Sequence, residues 1–437
     1  MSGGLDRLLP PANQLTSPLR YPSVVFGGSL RLDDPAAVLA TLNAKLEASG
    51  KAGEVRLFML RESMADPLAF SAAGGRAAAF QEAETAGDVD GRVCIVALGP
   101  EDSAKAAPAP SLTTGLPRWI RSPYARSLCS LMAVCTAATF TAAYASTGAA
   151  GATLMAPLGG AEAAAAPLAA LLHAAGLDGG APTAVELAFA KEALPIGAAV
   201  VAGAAAHDLG RRGAALAHGV KLGQPVLLPS INHGFSGAAT RIHGHPKSRT
   251  ALFDVGAAGV TSGLAVGGAL LLAGLVLTAT MAPADVLQLP LLPLKLLHSS
   301  ALSGLAAELV QPGVMSTPSL DVTVPMHPLT IAGLTATVVS ALHAVPIGAS
   351  DGGRMLSASH GRGLASAVSE FMVIALLVAV LVFRSGIALG WGLAVLFAMH
   401  GSEPPCHDEV NDIDVPRRAL HTGLSIVAAL ALVPYPF

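Results

Sequence analysis

Charge is what this chain has least of. Only 13% of its 437 residues are Asp, Glu, Lys or Arg, against about a quarter in soluble domains. So little charge argues against disorder for the bulk of the chain. It also argues against an ordinary soluble enzyme, because too little polar surface is available to cover the apolar mass. Aromatics are scarce as well, at 4%. The four cysteines (Cys94, Cys129, Cys135 and Cys406) form no CxxC, so neither a disulfide framework nor a cysteine zinc site is indicated. Net charge is −3 and no Lys/Arg run occurs, which argues against nucleic acid as a partner. The N-terminal MSGGLDRLLPPANQ has no apolar h-region and does not read as a secretory signal. Interrupted by proline and carrying Asp6, it does not read as a transit peptide either.

What is there is apolar and small. Ala, Gly, Leu and Val dominate a 52% apolar fraction, and mean hydropathy is +0.59. This composition predicts a polytopic α-helical membrane protein, with small residues that suit close helix packing. Residues 1–20 read as a flexible leader. Residues 21–115 hold much of the charge and read as a small N-terminal soluble α/β domain. Its expected elements are a strand at Ser23–Gly27, a helix from an Asp34 N-cap to about Ser49, and strands at Glu54–Leu60 and Arg92–Leu98. Residues 116–127 form an expected linker, and 128–437 a membrane domain of six to eight spans. Candidate spans are Leu128–Ser146, Ala193–Ala206, Val255–Met281, Val286–Val310, Pro328–Val345, Phe371–Phe383 with Ile387–Met399, and Ala419–Val433. Pro290, Pro293 and Lys295 break the fourth of these. Arg118, Arg121 and Arg126 precede the first span, whereas 147–186 contains no Lys or Arg. The positive-inside rule puts the N-terminal domain on the cytoplasm-like side. Glu370 and Arg384 read as interface markers.

Three polar patterns stand at span ends. The second span runs into His207-Asp208-Leu209-Gly210-Arg211. Val220-Lys221-Leu222 with Pro225 and Pro229 then leads to Ser236-Gly237-Ala238-Ala239-Thr240-Arg241. A later span ends in Pro346-Ile347-Gly348-Ala349-Ser350-Asp351-Gly352-Gly353-Arg354. Ionisable residues at membrane depth are functional suspects. An intramembrane zinc protease needs such an order. HExxH on a helix puts two imidazoles on one face with a glutamate base between them, and an aspartate in a distant DG turn adds the third ligand.

On these residues the chain resembles the site-2-type intramembrane zinc metalloproteases. Within them it is most similar to the plastid and cyanobacterial branch named for ethylene-dependent gravitropism deficiency and yellow-green leaves. The likeness runs from about Tyr21 to Pro434. It also takes in Gly27–Arg31, Ala251–Gly259, His327-Pro328-Leu329 and Trp391-Gly392-Leu393 before Pro405-Cys406. It implies a site-2-protease-like core, a multi-pass place in a chloroplast membrane (thylakoid or inner envelope), a soluble domain on the stromal side, and zinc-dependent cleavage within the membrane. It also implies membrane lipids and transmembrane proteins as substrates or partners, with homo- or hetero-oligomers open. Carried over residue by residue, His207 and Asp351 fall on zinc-ligand positions and Asp208 on that of the general base. Arg211 replaces the second histidine ligand, and Pro346, Gly352 and Gly353 belong to the structural turn.

The departures decide the expectation. Asp208 is one methylene shorter than glutamate and so stands back by about 1.5 Å, which matters because base catalysis depends on hydrogen-bond reach. A guanidinium at Arg211 has no lone pair to offer and cannot be deprotonated. Two ligands remain where catalytic zinc takes three plus water. The expectation is a pseudoprotease that binds transmembrane substrates or partners, with zinc in the family but not bound here. The alternatives are an active metalloprotease with a non-standard zinc site and, more remotely, a small-solute carrier built on the broken helices at Pro290 and Pro293. His218 is about 16 Å along the helix from His207 and cannot substitute. His233, His243 and His245 read as loop histidines, with a His243-x-His245 pair beside His207 as the alternative of a rebuilt site. Asp208 with Arg212 makes an i,i+4 pair, Asp254 reads as an N-cap, and Gly256, Gly259, Gly263 and Gly267 read as a helix-packing stripe.

Overall fold

The computed structural model describes residues 23–28, 35–50, 55–61, 93–98, 123–157, 160–177, 179–230, 234–316, 322–382, 386–399 and 403–436. The expected leader, the Asp34 cap, His233 and Arg384 lie outside them.

Near the N-terminus, β1 (Ser23–Gly28), β2 (Arg56–Arg61) and β3 (Val93–Leu98) form an antiparallel sheet in the order β1-β3-β2. Helix α1 (Pro35–Ala48) places Leu39 and Leu42 on Leu57, Met59 and Ile95. All four elements lie where the sequence puts them, to within two residues. The β2 edge does not face solvent. The Met59 amide donates to the His407 carbonyl at 2.8 Å, and the Glu409 amide donates to the Met59 carbonyl at 3.1 Å. The Phe58 ring stacks on His407 at 5.0 Å between centroids and meets His245 edge-on at 4.7 Å.

The helical body begins with α2 (Pro123–Ala145), which starts inside the stretch expected as a linker. After α3 (Ala149–Met155) and α4 (Gly160–Ala174) comes α5 (Ala184–His218), far longer than the expected Ala193–Ala206. A Thr183/Glu186 capping box opens it and Gly219, at φ +65°, closes it. The polar run 207–212 ends the hydropathy signal but not the helix, because Ala, Leu and Arg are strong helix formers. The faces of α5 are sorted for lipid. Leu194, Val201, Leu209 and Leu216 point out, while Ile196, Val200, Gly203, His207, Arg211 and Ala215 point in. Polar side chains of spanning helices turn inward in this way.

Strands β4 (Lys221–Leu222) and β7 (Ile242–His243) pair, as do β5 (Val226–Ser230) and β6 (Gly234–Ala239). Helix α6 (Arg249–Thr280) follows with Ser248 as its N-cap. Asp254 therefore caps nothing. It lies within α6 and takes Arg417 at 2.7 Å and His218 at 2.8 Å. Residues 286–310 make no single span. Helix α7 (Pro283–Val286), strand β8 (Leu291–Pro293), α8 (Leu294–His298) and α9 (Ala301–Val310) share that stretch, and β8 pairs with β9 (Thr323–Pro325). Helix α10 (Pro328–Ala344) is buried along almost its whole length. Helices α11 (Asp351–His360), α12 (Arg362–Leu381), α13 (Gly386–Ala398) and α14 (Val415–Leu432) complete the chain. Glu370, expected at an interface, lies within α12.

Among the described residues, four helices are long and apolar enough to cross a membrane: 126–145, α5, α6 and α12. Shorter apolar helices stand at 165–174, 301–310, 328–344 and 386–395. Together they make a polytopic helical membrane protein with a small α/β unit. Glycine sets how closely the helices pass. A β-carbon on Gly267 would stand 2.7 Å from the Thr337 amide nitrogen, and one on Gly274 2.2 Å from that of Thr330. These approaches hold α10 against α6.

Candidate functional site

The same close packing brings the polar motifs together. A β-carbon on Gly203 of α5 would stand 2.5 Å from Ala336 Cβ of α10. One on Gly259 of α6 would stand 3.1 Å from His207 Nε2, and one on Gly263 2.7 Å from His207 Nδ1. The glycine stripe thus packs helices and, in doing so, walls the histidine. The start of α11 is built by Ser350. Its hydroxyl donates to the Val345 carbonyl (2.7 Å) and accepts from the amides of Ile347 (3.2 Å) and Gly353 (3.0 Å). Pro346 begins this turn just past the end of α10, a usual place for proline. Any side chain at Gly352 or Gly353 would strike a backbone carbonyl, that of Ala344 at 2.0 Å or of Gly348 at 2.1 Å. Asp351, the first residue of α11, is thereby driven into the bundle, 1% exposed.

Asp351 is the hub. Its Oδ2 is 2.7 Å from His207 Nε2 and accepts from Arg211 Nη2 at 2.6 Å. Its Oδ1 accepts from Arg354 Nη1 at 3.0 Å. Arg354 also binds Glu403, with Nε to Oε1 at 2.8 Å. Two guanidiniums and two carboxylates, all buried, balance in charge. Strand β6 and the residue after it supply the remaining acceptors. The carbonyls of Ser236, Ala238 and Thr240 take His343 Nε2 (3.0 Å), Arg211 Nη1 (3.1 Å) and Arg354 Nη2. Carbonyls two residues apart point to the same side of a strand, so one sheet edge is saturated by the site.

His207, Arg211 and Asp351, far apart in sequence, therefore meet. Asp208 joins the edge of the cluster, its Oδ1 4.0 Å from Arg211 Nη1, while its carboxylate is held by Arg212 Nε at 2.5 Å and by the Thr240 hydroxyl at 3.2 Å. The expected i,i+4 pair is present, and both oxygens of the base-position carboxylate are engaged. His218 is taken by Asp254, His243 pairs with Lys221 in the β4–β7 ladder, and His245 lies against Phe58.

Sequence reasoning passed over three contributors. Arg354 appeared only as the end of a motif, and Glu403 not at all. The third is His343, on α10 and 1% exposed. Its ring centroid is 4.9 Å from those of His207 and Trp391, and its Nδ1 is 4.0 Å from Asp351 Oδ2. Potential ligand atoms of His207, His343 and Asp351 all lie within 4.8 Å of one another. A lone histidine in an apolar helix carries no motif. Its place is fixed by the fold, at Gly237 (φ +85°), where a β-carbon would stand 2.3 Å from His343 Nε2.

A zinc ion needs three protein ligands at about 2.0–2.2 Å. Here the Arg211 guanidinium sits on the ligand oxygen itself. A divalent ion about 4 Å from that charge, at an effective dielectric of 20, is repelled by on the order of 8 kcal/mol. Structural zinc sites yield about 10–16 kcal/mol in all. With Arg211 in this position, that repulsion takes up half or more of what zinc binding yields, so the arrangement opposes an ion on Asp351 Oδ2.

Beside the site a cavity of about 820 Å³ opens between α2, α4, α5 and the β5–β6 hairpin. Its lining is mostly apolar (Ala133, Ala137, Leu194, Val201, Phe235), and it takes in Lys191 and Asp208.

No family model and no solved structure matches the chain. Curated proteins do. It is 31% identical over 249 residues to "Probable zinc metalloprotease EGY1, chloroplastic" of Oryza sativa subsp. japonica, covering 57% of this chain and 42% of that protein. The Arabidopsis thaliana protein of the same name is 31% identical over 250 residues (56% and 44%). "Probable zinc metalloprotease EGY3, chloroplastic" of Oryza sativa subsp. indica is 29% identical over 257 residues (56% and 43%). The chain spans less than half the length of these relatives. Their names place zinc and the chloroplast in the family. The resemblance read from the motifs thus has a counterpart in overall sequence: over a little more than half of its length this chain is similar to the EGY-type proteins, which are named as chloroplastic zinc metalloproteases.

Proposed function

We propose that this chain is a chloroplast-membrane protein that keeps the zinc-metalloprotease scaffold but holds an arginine in place of the metal. It binds transmembrane segments of other proteins without cutting them. The observation that carries this reading is the Arg211–Asp351 contact at 2.6 Å. A neutral imidazole ligand is replaced by a fixed cation, and the carboxylate that would hold zinc is neutralised by that cation. Asp208, bound to Arg212 and Thr240, fits a structural role better than that of a base activating water.

The apolar cavity beside α5 supports the binding half of the reading. It is lined mostly with apolar side chains, many of them alanines, and opens toward the outward leucines of α5, so it suits a single apolar helix arriving from the bilayer. In this reading residues 21–115 face the stroma, 128–437 form the membrane body, and lipids cover the outer face. Thylakoid and inner envelope both accommodate it, as does association with copies of itself or with an active relative.

The test is metal analysis of purified protein together with a cleavage assay on a transmembrane substrate. The expected result is substoichiometric zinc and no cleavage. One zinc per chain that disappears in His207→Ala, or cleavage abolished by Asp351→Ala, would overturn the proposal.

A further inference from the structure

The site has one group left over. His343 Nε2 lies 3.0 Å from the Ser236 carbonyl, which accepts only. The proton is therefore on Nε2 and the lone pair on Nδ1. That Nδ1 is buried, has no hydrogen-bond partner, and lies 4.0 Å from Asp351 Oδ2. A ring nitrogen anchored to a backbone carbonyl, with the other presented bare, is how metal-binding histidines are oriented. Trp391 packs edge-on against the ring and helps to fix its plane. His207 approaches the same carboxylate oxygen from α5.

We infer that His207, His343 and Asp351 form a latent divalent-cation site that Arg211 keeps closed. It is of the two-histidine, one-carboxylate class, suited to zinc or cobalt. Its second histidine comes from α10 and not from the helix that bears His207. Arg211 closes it in two ways, by occupying Asp351 Oδ2 and by filling the volume that an ion and its water would need. The inference rests on the reading of Arg211 given under Proposed function. Chemically, the chain is one side chain away from holding a metal, through a ligand that the HDLGR motif does not contain.

The experiment titrates Co2+ into purified full-length protein and follows the visible absorption of tetrahedral cobalt. Wild type, Arg211→Lys, Arg211→Gln and Arg211→Gln/His343→Ala are compared, each shown to be folded and monodisperse. Wild type and Arg211→Lys are expected to stay colourless. Arg211→Gln is expected to take up one Co2+ per chain, and adding His343→Ala to weaken that binding by more than about tenfold. Should Arg211→Gln not be recovered folded, Arg211→Met takes its place, since it keeps the aliphatic volume. An Arg211 variant that binds no Co2+, or binding that ignores His343→Ala, overturns the latent site while leaving the proposed function standing. Cobalt taken up by the wild type overturns the reading of Arg211 itself, and the closed state with it.

Discussion

Coupling between Arg211 and Asp351 is open to direct measurement. Both are 1% exposed, so neither charge is relieved by solvent when the other is removed. Arg211→Met deletes the contacts to Asp351 and to the Ala238 carbonyl, and the longer 4.0 Å approach to Asp208. Breaking a buried ion pair costs about 3–5 kcal/mol. The lower end applies because Arg354 still holds Oδ1 at 3.0 Å. Asp351→Asn leaves two guanidiniums facing an amide, and we expect a cost of about 3 kcal/mol there too. In the double variant neither member of the pair is stranded, and Arg354 keeps Glu403. Its cost should fall short of the sum by about 2–3 kcal/mol, within the range for residues of one network. The assay is reversible unfolding in mixed micelles, followed by circular dichroism, for the four proteins of the cycle. Additivity to within about 0.5 kcal/mol would refute the argument, because it would mean that the two side chains do not hold each other in the bundle.

Two further outcomes follow from packing. On α6, a β-carbon at Gly263 would stand 2.3 Å from Ser340 Oγ, whereas one at Gly268 meets nothing within 4 Å. Gly263→Ala should therefore destabilise by about 1–3 kcal/mol, and Gly268→Ala should be neutral or stabilise by up to about 1 kcal/mol, as read by thermal unfolding; equal effects would contradict the packing described. Phe58→Ala should loosen the contact between β2 and residues 407–409 by about 3 kcal/mol. Hydrogen exchange at the Met59 and Glu409 amides should then quicken roughly a hundredfold, and unchanged exchange would sink the idea.

How far the sequence could be read depended on whether a residue's meaning was local. The sheet elements of the N-terminal unit were legible because alternation and flanking glycines are short-range properties. His207, Arg211 and Asp351 were legible because each sits in a motif that a family pattern makes visible. The extent of α5 was not, since hydropathy falls at the polar run 207–212 while helix propensity does not. Asp254 was misread for a related reason: its partners His218 and Arg417 lie on other helices, so a cap was the only role its neighbours suggested. His343 and Glu403 acquire meaning only when α10 and the segment after α13 are folded against α5 and α11. No spacing along the chain announces that meeting.

One short segment belongs to both halves of the molecule. Glu403 ends in the buried cluster through Arg354, and His407 and Glu409 edge the outer sheet through Met59. Between them run Pro404, Pro405 and Cys406. Two adjacent prolines lock φ and make a stiff rod. Arg362 clamps that rod, with Nη1 on the Glu403 carbonyl at 2.7 Å and Nη2 on those of Pro404 (3.0 Å) and on the Glu409 carboxylate (2.7 Å). Sheet and cluster are therefore joined by one short, clamped length of chain. Bonded contacts thus run from the β2 edge through residues 407–409 to Glu403, to Arg354, and to the carboxylate shared by His207 and Arg211.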